Sequence, residues 1–149
     1  MPGVFYLTKR AIYCIIILKE YKNMNRNNIK ILIVEDDSLL LNIYATTFEK
    51  ENFEVLTAKT GEEGFELIKK GKPDIVLLDI MLPGKMDGLK VLQEAKKDSE
   101  VKLMPVIILS NLEDDKTISE GLKLGANGYF IKSQANPNDV LRNIRTILG

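Results

Sequence analysis

Short apolar runs alternate with amphipathic stretches along most of the chain. Ile75–Leu78 has the composition of a strand buried on both faces, and it is one of five runs that predict strands. These runs are Ile29–Val34, Val55–Ala58, Ile75–Leu78, Val106–Leu109 and Tyr129–Ile131. A stretch with helical spacing follows each run, so the pattern predicts five strands alternating with five helices. Such alternation is typical of a parallel sheet covered by helices on both faces.

The predicted helices have recognisable ends. Thr60 and Glu63 have the spacing of a capping box, which predicts a helix from about Gly61 to Lys70. Asn136 as N-cap and Pro137 at the first helical position predict the start of the last helix. Of the other three helices, one is expected over Ser38–Lys50 and one is expected to begin at about Gly88. The third should end at Gly125, which acts as its C-cap.

Residues 1–28 do not follow this alternation of predicted strands and helices. Ala11–Leu18 is apolar and stands behind two basic residues, like a signal peptide, but charged residues occupy the place of a cleavage site. The run is also far shorter than the roughly 20 residues of a membrane-spanning helix. We expect an N-terminal extension here, either an extra element packed on the domain or a segment ahead of a start at Met24. One domain should then cover residues 29–149.

Composition narrows the possible functions. The chain contains one cysteine and no histidine, which excludes an intramolecular disulfide, a zinc cluster and catalysis by Ser-His-Asp or Cys-His pairs. The formal net charge of zero combines +4 for residues 1–28 with −4 for residues 29–149. A mildly acidic domain without a basic stripe argues against direct binding of nucleic acid. We expect a cytoplasmic protein without membrane contacts.

Polar residues stand where the predicted strands end. Glu35 and Asp36 follow the first strand, Asp79 the third, Ser110 the fourth and Lys132 the fifth. In an open parallel sheet, ligands bind outside the carboxyl ends of the strands, where the strand order reverses. If the order is 2-1-3-4-5, the acids of the first and third strands meet at that point. Clustered carboxylates repel one another, and a hard cation such as Mg²⁺ would relieve the repulsion.

Each of these residues also has an ordinary structural explanation. Glu35 and Asp36 are acids of the kind favoured at a helix N-terminus, and Asp79 could cap a turn. Ser110 could be a turn residue and Lys132 a solvated strand end. Only their combination at four separate strand ends favours a functional site.

Four segments, in this order, resemble the receiver domain of bacterial two-component response regulators. They read ILIVEDD, LLDIMLPGKMDG, PVIILSN and ANGYFIKS. The resemblance covers Ile29 to the C-terminus, about four-fifths of the chain. It implies a flavodoxin-like (βα)5 doubly wound parallel sheet with strand order 2-1-3-4-5. It also implies a signalling phosphoacceptor rather than an enzyme that turns over an external substrate.

The resemblance assigns a role to each site residue. Asp79 would accept a phosphoryl group from a phosphohistidine and become a 4-aspartylphosphate. Mg²⁺ would be held by Asp36, Asp79 and the backbone carbonyl of Met81, with Glu35 acting through water or neighbouring side chains. Lys132 would pair with Asp79 at rest and with a phosphoryl oxygen afterwards.

Two further residues would form the switch. The Ser110 hydroxyl would bind another phosphoryl oxygen and draw its loop inward, and the ring of Tyr129 would turn in as the loop moves. The surface formed by the fourth helix, fifth strand and fifth helix would then change. The implied partners are a sensor histidine kinase or a histidine phosphotransfer protein, and a downstream protein target. A homodimer could form on phosphorylation, and we expect a stand-alone receiver without an output domain.

The chain departs from the family pattern at two positions. Lys85 is one extra residue in the turn after Pro83-Gly84, which would alter the loop beside the site. Ser133 follows Lys132 where the family usually has proline, often with a cis bond, and a cis bond before a non-proline residue costs about 3 kcal/mol.

Two other function classes compete with a phosphorylated switch. One is a pseudo-receiver that acts as a constitutive interaction module, although the reactive side chains are all retained. The other is a flavodoxin-like or haloacid-dehalogenase-like enzyme. In a flavodoxin-like protein, the flavin phosphate would be repelled by the acids after the first strand. In a haloacid-dehalogenase-like enzyme, the nucleophile motif needs a second aspartate at the position that Met81 occupies.

Overall fold

The computed structural model describes residues 8–24 and 28–149. In that part of the chain, strands and helices alternate from β1 onward. The strands are β1 (Lys30–Val34), β2 (Glu54–Ala58), β3 (Ile75–Leu78), β4 (Val106–Ser110) and β5 (Gly128–Ile131). The helices are α1 (Lys9–Met24), α2 (Ser38–Lys50), α3 (Gly61–Gly71), α4 (Gly88–Lys97), α5 (Asp115–Lys123) and α6 (Pro137–Leu148).

The five strands form one parallel sheet in the order β2-β1-β3-β4-β5. This confirms the predicted order, and it makes β1 and β3 neighbours. Their pairing aligns Val34 with Leu78, so the residues that follow these two strands emerge side by side. The order reverses between β1 and β3, and the carboxyl ends of both strands therefore open into one crevice.

Alternate residues of the strands fill two separate cores. Leu32 and Val34 of β1 pack with α3 and α4 on one face of the sheet. Ile31 and Ile33 pack with α2 and α6 on the other face. Because both faces are covered, the strand reads as a continuous apolar run rather than an alternating one. The rigidity of this double layer holds the ends of β1 and β3 in place.

The helix caps largely follow the predicted pattern. The Thr60 hydroxyl accepts the backbone N–H of Glu63 at 3.1 Å. The Glu63 carboxylate accepts the N–H of Lys59 at 3.1 Å, one residue before the position that a capping box uses. Asn136 caps α6, and Pro137 occupies its first turn. These caps satisfy N–H groups that a helix leaves without partners.

Helix α1, Lys9–Met24, lies within the predicted N-terminal extension. Its described side chains, in residues 8–18, lie mostly at the surface, and its exposed apolar residues include Ile12, Tyr13 and Leu18. None of the described helices is long and apolar enough to cross a membrane. The division into residues 1–28 and 29–149 stays a prediction.

Candidate functional site

The polar residues at the strand ends meet at the carboxyl edge of the sheet. Backbone hydrogen bonds that continue the sheet hold three of them in place. These bonds run from Glu35 N to Ala58 O at 2.9 Å, from Asp79 N to Val34 O at 3.0 Å, and from Lys132 N to Ser110 O at 3.0 Å. The position of each side chain therefore depends on the strands and not on loop conformation.

Lys132 lies between two buried acids. Its Nζ donates to Asp79 Oδ2 at 2.8 Å and lies 2.6 Å from Glu35 Oε2. Glu35 and Asp79 are each only 3% exposed, whereas Asp36 is exposed at the mouth of the crevice. One ammonium group thus faces two carboxylates that have little access to water.

Burial and charge shift the pKa of each member of this group. Burial raises the pKa of Asp79 and of Glu35, and this effect outweighs the lowering by Lys132. Repulsion from Asp79 adds to the rise at Glu35. Burial alone would lower the pKa of Lys132, but the close contacts with Asp79 and Glu35 outweigh it and raise the pKa. Lys132 therefore stays protonated, whereas burial destabilises the ionised forms of Asp79 and Glu35.

The acids at the strand ends lie close enough together to share a cation. One carboxylate oxygen from each of Glu35, Asp36 and Asp79 lies within 4.8 Å of the other two. Glu35 Oε2 is buried and has no hydrogen-bond partner among the described residues, so its contact with Lys132 is an ion pair without hydrogen-bond geometry. A set of oxygen ligands that is open to solvent on the Asp36 side suits Mg²⁺, which keeps several of its waters.

Met81 and Asp37 lie close to the acids. The backbone N–H of Met81 donates to Asp79 Oδ1 at 3.3 Å, which folds the start of the loop back toward the carboxylate. Asp37 caps α2 by accepting the N–H groups of Leu39 and Leu40. Its own N–H donates to Glu35 Oε1 at 3.1 Å. The acidic run after β1 therefore serves both the site and the start of a helix.

Ser110 and Tyr129 meet at Leu112 rather than at Asp79. The Ser110 hydroxyl is fully buried and accepts the N–H of Leu112 at 3.3 Å. The Tyr129 hydroxyl donates to the Leu112 carbonyl at 2.6 Å. Burial raises the pKa of Tyr129, so the hydroxyl keeps its proton and remains a donor. These two bonds tie the loop after β4 to both predicted switch residues.

The two departures from the family pattern lie on loops around the crevice. The backbone N–H of Lys85 donates to Glu62 Oε1 at 2.7 Å, a contact that the sequence does not indicate because acids in the first turn of a helix are common. The described residues contain no cis peptide bond, so the bond between Lys132 and Ser133 is trans. With Asp37 and Lys132, Ser133 lines a cleft beside the site.

Comparisons with known proteins identify the family of this architecture. A family model described as the response regulator receiver domain matches residues 31–145. A probable transcriptional regulator, ycf27, from Guillardia theta is 40% identical over 119 residues, which are 80% of this chain and 45% of that protein. The alkaline phosphatase synthesis transcriptional regulatory protein PhoP of Bacillus subtilis is 34% identical over 81% of this chain and 49% of its own length. The chain therefore spans about half the length of these relatives.

Solved structures show the same similarity. The BeF3-activated N-terminal receiver domain of Klebsiella pneumoniae RstA has 34% sequence identity and a TM-score of 0.72, over 80% of this chain and 97% of that one. A CheY-like receiver domain protein from Methanospirillum hungatei has 32% identity and a TM-score of 0.75, over 82% of this chain and 94% of that one.

Proposed function

The chain belongs to the response regulator receiver domain family, and we propose that it is a switch in which Asp79 accepts a phosphoryl group from a phosphohistidine. The family is one of signalling proteins of two-component systems. The observation that carries the proposal is the position of Asp79, which is buried at the end of β3 with Lys132 on one oxygen and the acids of β1 beside it. A carboxylate fixed on a rigid strand is held in one geometry for attack.

The proposed transfer is a nucleophilic displacement at phosphorus. A carboxylate oxygen of Asp79 forms the new P–O bond while the P–N bond to the imidazole of the donor breaks, and the electron pair stays on that nitrogen. The product is an acyl phosphate on Asp79. Asp36, Asp79 and the backbone carbonyl of Met81 would hold Mg²⁺, with Glu35 acting through water. The bound cation supplies positive charge to the phosphoryl oxygens.

Lys132 has a role both before and after transfer of the phosphoryl group. Its ammonium group balances Asp79 at rest. Once Asp79 is phosphorylated, its carboxyl group no longer carries the charge of a free carboxylate, and the ammonium can pair with a phosphoryl oxygen instead. Ser110 would give up its contact with Leu112 and donate to another phosphoryl oxygen. Because the Tyr129 hydroxyl is also bonded to Leu112, both predicted switch residues act on one loop.

Movement of that loop would alter the surface of α5, β5 and α6, which we propose as the signalling surface. The proposed partners are a sensor histidine kinase or a histidine phosphotransfer protein as donor and a protein as downstream target, in the cytoplasm. A homodimer of phosphorylated chains is a further proposed state. Affinity capture with phosphorylated and unphosphorylated protein tests this part, and a partner set that does not differ between the two forms would instead favour a constitutive interaction module.

Phosphorylation of Asp79 is tested by intact-mass measurement. With a small phosphodonor and Mg²⁺, the protein should gain about 80 Da, the mass of one phosphoryl group. The Asp79→Asn variant should gain nothing, and Asp115→Asn, at an exposed acid on α5, should label like the parent. A label that persists in Asp79→Asn would refute the assignment.

The cation role of Asp36 is tested separately. Asp36→Ala removes one ligand and one negative charge from the acidic group, and we expect about tenfold or greater loss of Mg²⁺ affinity in calorimetric titration. Glu113→Ala removes an exposed acid from the loop after β4 and should leave the affinity unchanged. Equal affinities for parent and Asp36→Ala would exclude Asp36 as a ligand.

A further inference from the structure

The loop that follows Asp79 is fastened to the neighbouring helix α3. Glu62, in the first turn of that helix, accepts the backbone N–H of Lys85 through Oε1 at 2.7 Å. Its two carboxylate oxygens lie 2.8 and 2.9 Å from the place that a Cβ atom on Gly84 would take. Gly84 also has a φ of +97°, which favours glycine. The carboxylate and the turn therefore fit closely.

A second contact brings the same loop against α3. A Cβ atom on Gly61 would overlap the carbonyl oxygen of Met86, so the backbone of the loop lies directly on the first residue of the helix. The backbone N–H groups of Glu62 itself and then of Lys85 lower the pKa of the Glu62 carboxyl. The acid is therefore ionised at neutral pH, and a bond from an N–H group to a carboxylate is stronger than one between neutral groups.

The rest of the loop is held mainly at its two ends. The Ile80 carbonyl accepts the N–H of Leu82 at 3.0 Å and the N–H of Gly88 at 2.8 Å. In the described part of the chain, no backbone–backbone hydrogen bond holds residues 83–86. The apex of the loop therefore depends on α3, and Met81 lies in the base of the loop, two residues before the stretch that has no such bonds.

We propose that Glu62 is a positioning residue for the phosphoryl site, and that it acts by anchoring the loop that carries Met81. The inference rests on the proposed function, in which the Met81 carbonyl helps to hold Mg²⁺. Lys85, the extra residue relative to the family pattern, supplies the N–H group that Glu62 binds. The anchor thus offsets the freedom that a longer loop would otherwise have.

Amide hydrogen exchange tests the anchor directly in the full chain. In Glu62→Ala, the Lys85 amide should exchange about tenfold faster or more, because it loses a charge-assisted bond. In Glu62→Gln, the carboxamide oxygen can still accept, so exchange should be intermediate. Glu66→Ala is the matched control, since Glu66 lies on the same helix but pairs with Lys70, and it should exchange like the parent. An unchanged Lys85 amide in Glu62→Ala would overturn the anchor.

Mg²⁺ titration of the same variants tests the positioning role. We expect Glu62→Ala to bind Mg²⁺ about tenfold more weakly, and saturating Mg²⁺ to restore its rate of labelling by a small phosphodonor. Faster exchange at Lys85 with unchanged Mg²⁺ affinity would overturn the positioning role. If the parent protein takes up no phosphoryl group at all, the proposed function fails. Amide exchange at Lys85 and the Mg²⁺ titration would still show whether Glu62 anchors the loop and affects Mg²⁺ binding.

Discussion

Lys132 donates a hydrogen bond to Asp79 at 2.8 Å although the two residues are 53 positions apart in sequence. The same ammonium group lies 2.6 Å from Glu35. Two buried carboxylates therefore share one cation, and the buried group carries an excess negative charge before Asp36 is counted. This excess supports the proposed cation site, because Mg²⁺ would neutralise charge that the protein leaves uncompensated.

Removing the shared cation should destabilise the fold. Lys132→Met keeps an extended side chain but leaves Glu35 and Asp79 buried without a counter-charge. We expect the free energy of unfolding at neutral pH to fall by about 3 kcal/mol, measured by urea denaturation with a chelator present. Lys70→Met, which breaks an exposed pair with Glu66, should change it by less than about 0.5 kcal/mol.

The loss in Lys132→Met should also depend on pH. Burial raises the pKa of both acids, so they become protonated as the pH falls and no longer need the ammonium group. The variant should therefore come closer to the parent near pH 4. An equal loss at acidic and neutral pH would show that the lysine acts by packing rather than by charge.

The raised pKa of Asp79 predicts a stabilising substitution. Because the folded protein binds a proton on Asp79 more tightly than the unfolded chain does, this acid favours folding below its ordinary pKa of 3.8. That contribution is lost as the pH rises through the folded-state value. Asparagine does not ionise, so Asp79→Asn should gain stability over the parent as the pH rises from acidic to neutral, by about 1 kcal/mol.

An acid with the opposite shift serves as the control for Asp79→Asn. The pKa of Asp98 is lowered, first by the backbone N–H of Glu100 and then by Lys69, so Asp98 favours folding above its ordinary value. Asp98→Asn should therefore lose stability relative to the parent as the pH rises. Urea denaturation across the pH range, without Mg²⁺, measures both differences, and slopes of the same sign would contradict the prediction.

Local patterns were sufficient to predict the individual strands and their ends. The runs of the inner strands β1, β3 and β4 read as buried strands because each of these strands packs a core on both faces, as Ile31 and Leu32 do. Strand order came from a family resemblance rather than from the runs themselves. The bounds of the helices followed from short-range caps such as Thr60, whose partners lie within one turn.

Contacts between distant side chains could not be predicted in this way. The ion pair between Lys132 and Glu35 depends on the direction that the long lysine side chain takes across the edge of the assembled sheet. The bond from Glu62 to Lys85 joins residues 23 positions apart, and neither residue type is unusual at its place. Tyr129 was predicted as a switch residue by resemblance, but its bond to the Leu112 carbonyl required the folded loop.

That bond gives a test of the switch. Tyr129→Phe keeps the ring, which packs near Gly121, and removes only the hydroxyl that holds the Leu112 carbonyl. We expect a loss of about 1 kcal/mol in the free energy of unfolding and faster amide exchange in the loop after β4. Tyr13→Phe, at an exposed position on α1, should change neither, and an unaltered loop in Tyr129→Phe would argue against coupling through Leu112.

The N-terminal extension should be dispensable for the receiver fold. None of the described side chains of α1 belongs to either core, so a chain that begins at Met24 should unfold within about 0.5 kcal/mol of the full chain. A chain that begins at Leu32 loses the buried Ile31 and should be strongly destabilised, which shows that the assay detects damage to β1. A loss above about 2 kcal/mol in the first variant would mean that α1 packs on the domain. Sedimentation of the full chain and of the chain that begins at Met24 should show less self-association without α1, because α1 exposes the apolar side chains of Ile12, Tyr13 and Leu18.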